Sequence, residues 1–289
     1  MSRNSKRVTG GGGATEQDTA PPQQNVQATN NFSFVVPTEF VELPSNGIYY
    51  DPSHPLHNQS TIEIKQMTAK EEDMLTSRSL LKKGVALERV ISSLIIDNSI
   101  DPETLLVGDR NAIVIAARIS AYGSDYTTKV VCPNCSTQQE HTFNLGELTV
   151  GKNLVDRVVS SAVKQREDGT FVVELPRSGL NIGFRLLTGA DERVLLAGLE
   201  MDKKAKGDYE KNVTRQLKNI IIDVNGNTTS EAINYVVDNM PSIDARYLRQ
   251  AFQSVSPNID MTQDFECINC SYEADLEVPL TADFFWPDR

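Results

Sequence analysis

Apolar and polar positions fall into two series that run along the chain in the same order. The first opens with Val41-Glu42-Leu43-Pro44-Ser45-Asn46-Gly47 and reaches the alternating Ile62-Glu63-Ile64-Lys65. The second opens with Val173-Glu174-Leu175-Pro176-Arg177-Ser178-Gly179 and reaches Ile182-Gly183-Phe184-Arg185. Period-two alternation predicts a strand in each. Helix starts follow at Met67-Thr68-Ala69-Lys70-Glu71 and Leu187-Thr188-Gly189-Ala190-Asp191, where a Thr hydroxyl caps free N–H groups and an acid suits the positive helix end. Helical spacing continues through Leu87, Val90, Ile91, Leu94 and Ile95 to Ile96-Asp97, and through Val213, Leu217, Ile220 and Ile221 to Ile222-Asp223. Shorter helices are expected at Asp101-Pro102-Glu103, with Pro in the first turn, and at Ser230-Glu231. Asp109 and Asp244 each precede a further helix, then a strand and a Cys-x-x-Cys. The spacing from Asp109 to Cys132 equals that from Asp244 to Cys267.

The order predicts an α+β chain made by tandem duplication. Residues 1–31, rich in Gly, Gln, Asn, Thr and Pro, have too little apolar surface to offset their ordering entropy and are expected to form a disordered tail. Residues 32–150 form the first repeat, 151–165 a linker and 166–289 the second repeat. The insertion between Gly47 and Ile62, with Tyr49, Tyr50, His54, Pro55 and His57, occurs in the first copy alone. A longer Lys-rich segment at 202–212 occurs in the second alone. Such one-copy features are where partner-specific contacts are expected.

All four cysteines lie in Cys132-Pro133-Asn134-Cys135 and Cys267-Ile268-Asn269-Cys270. A Cys-x-x-Cys on a β-turn supplies half of a tetrahedral zinc site. Two such pairs make a complete site, flanked by hairpin strands over 127–131 with 139–143 and over 262–266 with 273–278. A redox pair would sit at a helix N-terminus, and a disulfide would suit an oxidising compartment. A catalytic zinc would leave a position open beside a His or carboxylate. His141 is the one candidate by the first knuckle, and Leu276 takes its place in the second. The expectation is one structural zinc per chain, bound by Cys132, Cys135, Cys267 and Cys270, clasping two pseudo-symmetric repeats. A site shared between two chains remains the competing arrangement.

The net charge of −11 and pI near 4.8 count against phosphate binding as the main role. The basic start at Arg3, Lys6 and Arg7 and the Lys203, Lys204, Lys206 run beside Asp202, Asp208 and Glu210 read as solvated surface. No apolar stretch approaches the roughly 18 residues of a membrane span and no secretory signal opens the chain, so an intracellular setting and no membrane partner are expected. Catalysis has no visible seat. His54 and His57 lie in a Pro-containing loop and read as solvated, Gly10 to Gly13 lack the context of a phosphate loop, and Glu71-Glu72-Asp73 is explained by the helix dipole. Phe284-Phe285-Trp286-Pro287 is expected to pack on the core of the second module, with an aromatic anchor for a partner as the other reading.

The chain resembles the T4-type bacteriophage baseplate hub assembly family of contractile-tailed phages. The residues that carry this are Leu43-Pro44-Ser45-Asn46-Gly47 with Tyr49-Tyr50, and Met67-Thr68-Ala69-Lys70-Glu71-Glu72-Asp73-Met74-Leu75-Thr76. Arg78-Ser79-Leu80-Leu81-Lys82-Lys83-Gly84, Gly108-Asp109-Arg110-Asn111-Ala112 and Ala121-Tyr122-Gly123-Ser124-Asp125-Tyr126 before the first knuckle complete the pattern. The resemblance covers about residues 33 to 286 and is densest in the first copy. It implies a non-enzymatic structural or assembly role in the tail, in the virion or in the host cytoplasm during assembly. Its partners would be other hub or tail proteins, with self-association into a homo-oligomer also allowed. The alternative class is a zinc-ribbon nucleic-acid-binding or transcription-accessory protein, which would need Lys and Arg near the ribbon. Neither knuckle loop contains a basic residue.

Overall fold

Alternating side chains place Val41, Ile62 and Ile64 on one face of a short antiparallel pair, β1 (Thr38–Glu42) and β2 (Thr61–Lys65), and that face is buried. The computed structural model describes residues 36–151, 161–205, 212–279 and 282–285. The expected tail over 1–31, residues 152–160 of the expected linker, Lys206 and Trp286-Pro287 lie outside them, as do the side chains of Lys203 and Lys204.

After β2 come α1 (Ala69–Thr76), α2 (Arg78–Lys83) and α3 (Ala86–Leu94), then a 3₁₀ turn at Pro102–Thr104 held by Asp101 accepting from the Glu103 N–H. The next helix, α4 (Val107–Tyr122), is buried on nearly every side and leads through Gly123 into the hairpin β3 (Asp125–Val131) and β4 (Gln138–Asn144). Strand β5 (Thr149–Val150) follows.

The second half is built on a four-stranded antiparallel sheet in the order β6 (Lys164–Gln165), β7 (Phe171–Glu174), β8 (Asn181–Phe184) and β9 (Ile221–Val224). Helices α5 (Gly189–Ala205) and α6 (Asn212–Ile220) precede β9, and α7 (Ser230–Asn239) and α8 (Ser242–Val255) follow it. The chain then forms β10 (Ile259–Asp260) and the hairpin β11 (Thr262–Glu266) with β12 (Glu273–Glu277).

Three expectations are corrected here. The helical spacing through Ile221 stops at Ile220, because Ile221 to Val224 gain ladder bonds beside β8. The matching Ile95 in the first half makes only a single bridge, to Ile64. Asp109 and Asp244 do not precede their helices but lie in the first turns of α4 and α8, fully buried. Phe284, first of the C-terminal aromatics, packs on the first half rather than the second: its ring meets Tyr126 edge-on at 5.1 Å, and its carbonyl accepts from Arg118 Nε at 2.7 Å.

The halves share one core and interlock far from the cysteines. Val107 N–H donates to the Leu187 carbonyl and Gly189 N–H to the Leu105 carbonyl. Strands β5 and β10 pair. Arg110 ion-pairs with Glu192, and Arg193 with Glu103 and Glu88. Gly108 comes so close to the Pro257 backbone that a Cβ there would lie 1.9 Å from the Pro257 oxygen.

Candidate metal centre

Helix α4 and its buried Arg118 aim the first hairpin. The Arg118 guanidinium donates to the carbonyls of Phe284, Gly123 and Asp125 and lies over the Tyr122 and Tyr126 rings. This satisfies a fully buried cation with neutral acceptors. At the far end of β3 the chain turns tightly: Ser136 N–H donates to the Cys132 carbonyl and Cys132 N–H to the Thr137 carbonyl. Ser136 adopts φ 58°, uncommon for a residue with a side chain. The second hairpin repeats the turn bond for bond, with Ser271 N–H to Cys267, Cys267 N–H to Tyr272, and Ser271 at φ 51°.

The two turns bring all four sulfurs within 4.8 Å of one another. Cys132 Sγ lies 3.8 Å from Cys270 Sγ, and Cys135 Sγ lies 3.6 Å from Cys267 Sγ. A tetrahedron with metal–sulfur bonds of about 2.3 Å has edges of about 3.8 Å, so these gaps suit a four-thiolate metal site. They are far beyond the ~2.05 Å of a disulfide, and the thiols are free.

The surroundings are reciprocal. Asn134 Nδ2 lies 3.7 Å from Cys270 Sγ, and Asn269 Nδ2 lies 3.7 Å from Cys135 Sγ. Hydrogen bonding by the Thr137 hydroxyl and backbone draws the Cys135 thiol down to about 5, with a smaller contribution from Asn269. Desolvation of its sulfur pushes Cys270 up to about 11. A divalent cation at the centre of the four sulfurs would favour their thiolate form.

Two glutamines lock the hairpins together. Gln139 donates from Nε2 to the Glu266 carbonyl at 3.0 Å and accepts from the Ile268 N–H at 2.9 Å. Gln263 returns the pattern, donating to the Asn144 carbonyl and accepting from the Asn144 N–H. Sequence reasoning passed over both. The available signal was their phase: Gln139 shares a strand face with Phe143, and Gln263 with Phe265, where apolar residues are expected. A cleft of about 950 Å³ runs between the hairpins, with Glu140, Asp264, Glu266, Glu273 and Asp275 along it.

The other candidates fall away from this centre. His141 packs edge-on against Phe143 and Phe265. His54 and His57, read as solvated, instead organise the insertion: His54 stacks on Tyr50 at 4.5 Å and bonds Thr104, and His57 Nδ1 lies 2.7 Å from the Tyr50 carbonyl. Glu71 is more than a dipole partner. Fully buried, it accepts from Lys65, Ser93 and the hydroxyl and N–H of Thr68, forming a capping box with Thr68 at the start of α1. Burial alone would raise its pKa, and these donors outweigh that, holding it at about 2. Among the described residues no helix is long and apolar enough to cross a membrane.

Fold and site together define a mixed α+β protein whose two hairpin tips gather four thiols able to hold a metal ion. Residues 37–166 match the family described as T4 bacteriophage base plate protein, a stretch that includes β1, the insertion loop, α4 and the first thiol pair. The match to this stretch of the chain supports a T4-type baseplate protein. None of the curated proteins or solved structures compared with the chain matches it.

Proposed function

We propose that the protein is a non-enzymatic structural or assembly component of the hub of a phage tail baseplate, acting in the virion tail or in the host cytoplasm during assembly, and stiffened by one zinc ion per chain. The family match carries the baseplate reading; the sulfur tetrahedron carries the zinc. Bound by Cys132, Cys135, Cys267 and Cys270, zinc would act as a closed cross-link with no open coordination position. The protein would present rigid surfaces to other baseplate or tail proteins. The carboxylates along the hairpin cleft oppose a phosphate backbone and count against the nucleic-acid reading.

The proposal includes a tandem duplication, with repeats at 32–150 and 166–289 and zinc-ribbon hairpins in both. It is supported by the equivalent turns, by Asp109 and Asp244 gripping corresponding loops, and by the Lys65–Glu71 and Arg185–Asp191 pairs at corresponding helix starts. An experimental structure in which the halves fail to superpose would remove it.

Native mass spectrometry of the purified protein tests the metal, with one zinc per chain expected. Metal appearing only in dimers would move the site between chains, and no metal would end the proposal. In phage carrying Cys132→Ser, fewer complete baseplates are expected; normal assembly would show that zinc is dispensable for the role. Proteomics of purified tails tests the location separately, since an assembly factor would be missing from finished particles. Because the halves interlock through β5–β10, Gly108 and Arg118, loss of zinc should free the hairpin tips without separating the halves.

A further inference from the structure

Strand β1 has a neighbour on one side only among the described residues, and its ladder shows which groups face outward. Leu43 N–H donates to Ser60, and Gln66 N–H donates to Pro37, so odd-numbered positions bond across to β2. In an antiparallel pair the alternate residues then turn their N–H and C=O away. Thr38, Phe40 and Glu42 therefore present a row of backbone donors and acceptors, and at its centre the Phe40 side chain is 71% exposed.

The second half supplies the contrast. There β7 stands where β1 stands in the first, Val172 takes the place of Phe40, and β6 covers that edge by pairing Lys164 with Val172. A tight turn with Gly169 at φ 79° returns the chain, and Arg166 N–H donates to Thr170. The edge that β6 fills in one half has no strand beside it among the described residues of the other, and carries an exposed aromatic there. An open edge of this kind is a pairing template, which native proteins ordinarily blunt with charge or cover.

We propose that β1 pairs with β1 of a second copy of this chain, antiparallel about a two-fold axis through Phe40. The register is self-complementary. Phe40 faces Phe40 of the partner subunit, Thr38 faces the partner's Glu42, and Glu39 faces the partner's Val41. No carboxylates are directly opposed, and the central pair is aromatic, a favourable cross-strand combination. The outward groups of Thr38, Phe40 and Glu42 on both copies then form six backbone hydrogen bonds and join two β1–β2 pairs into one four-stranded sheet. Two five-residue strands bury less than a standard stable interface, so the isolated protein associates weakly and reversibly.

Light scattering and native mass spectrometry across a concentration series test this, together with amide exchange read residue by residue. Expected are a monomer–dimer equilibrium in the micromolar range and slowed exchange at Thr38, Phe40 and Glu42 only at high concentration. Val172, already paired with β6, should be slow throughout. Phe40→Lys and Phe40→Pro, each checked for a native circular dichroism spectrum, should weaken the dimer at least tenfold. A monomer at every concentration would overturn the proposal. So would a dimer indifferent to both Phe40 variants, a dimer abolished by chelation alone, or protection of the three amides already in the monomer.

Discussion

The N-terminus of α4 and that of α8 use the same device in opposite settings. Each places an aspartate in the first helical turn and turns it onto the loop after a Leu-Pro pair. Asp109 accepts from Ser45 N–H at 2.9 Å and Ser45 Oγ at 2.6 Å; Asp244 accepts from Arg177 and Ser178 N–H at 2.9 and 3.0 Å. Around α4 the device is enclosed. Tyr50, delivered by the insertion loop, donates to Asp109 at 2.8 Å and accepts from Leu106 N–H, and burial raises the pKa of both Asp109 and Tyr50. Gly108 lies against Pro257, while the residue in its place before Asp244 is Ile243, 59% exposed. The loop clamp is common to both helices, and its cost of failure is set by whether the other half closes over it.

Removing the acids should give the widest separation. Asp109→Ala strands a buried N–H and two hydroxyls and should cost about 4–5 kcal/mol, whereas Asp244→Ala, beside a more exposed loop, should cost about 2 kcal/mol. Urea unfolding of both variants measures this, and equal losses would break the contrast between enclosed and open clamps. Next comes Gly108→Ala, where a methyl group meets backbone rather than a flexible side chain. A loss of about 3 kcal/mol is expected, against no more than about 0.5 kcal/mol for Ile243→Ala. A tolerated Gly108→Ala would mean that the two halves slide where they now touch.

A further effect is a pH dependence. The folded pKa of Glu71, about 2, lies below the unfolded value near 4.3. Its stabilisation is therefore complete above that unfolded value and is lost as pH falls toward 2. The shift corresponds to about 3 kcal/mol at neutral pH. The stability gap between wild type and Glu71→Gln should be near that size at pH 7 and close toward pH 2. Asp191 is also lowered, but its partner Arg185 is more exposed, so Asp191→Asn should show the same sign with smaller amplitude.

The parts written locally were legible in the sequence. Hairpins declare themselves by alternation, helix starts by Thr and an acid three residues on, and the thiol pairs by their spacing. What escaped depends on partners far along the chain. Arg118 sits in the apolar run Ile115-Ala116-Ala117, and its acceptors include the carbonyl of Phe284, 166 residues away. Gln139 and Gln263 look like surface amides until the other hairpin arrives. Ile221 continued a helical spacing, but a short apolar run is ambiguous between helix and strand, and β8 decided it. Phe284 packs on the first half, against expectation, because composition marks a residue as buried without naming what buries it.

The separation of the thiol pairs also has a history in time. Cys132 and Cys270 are 138 positions apart, and Gln139 reaches its acceptor at Glu266 across a gap nearly as long. At a synthesis rate of about 5–20 residues per second, the first pair waits roughly 7–28 s for the second to emerge. Throughout that interval the leading hairpin holds two thiols without their counterparts and an unanswered amide. A nascent chain that stalls in this window keeps its thiols open to oxidation or capture, while one that passes it closes thiols and amides together. The arrangement makes completion of the tip a late checkpoint in the birth of each molecule.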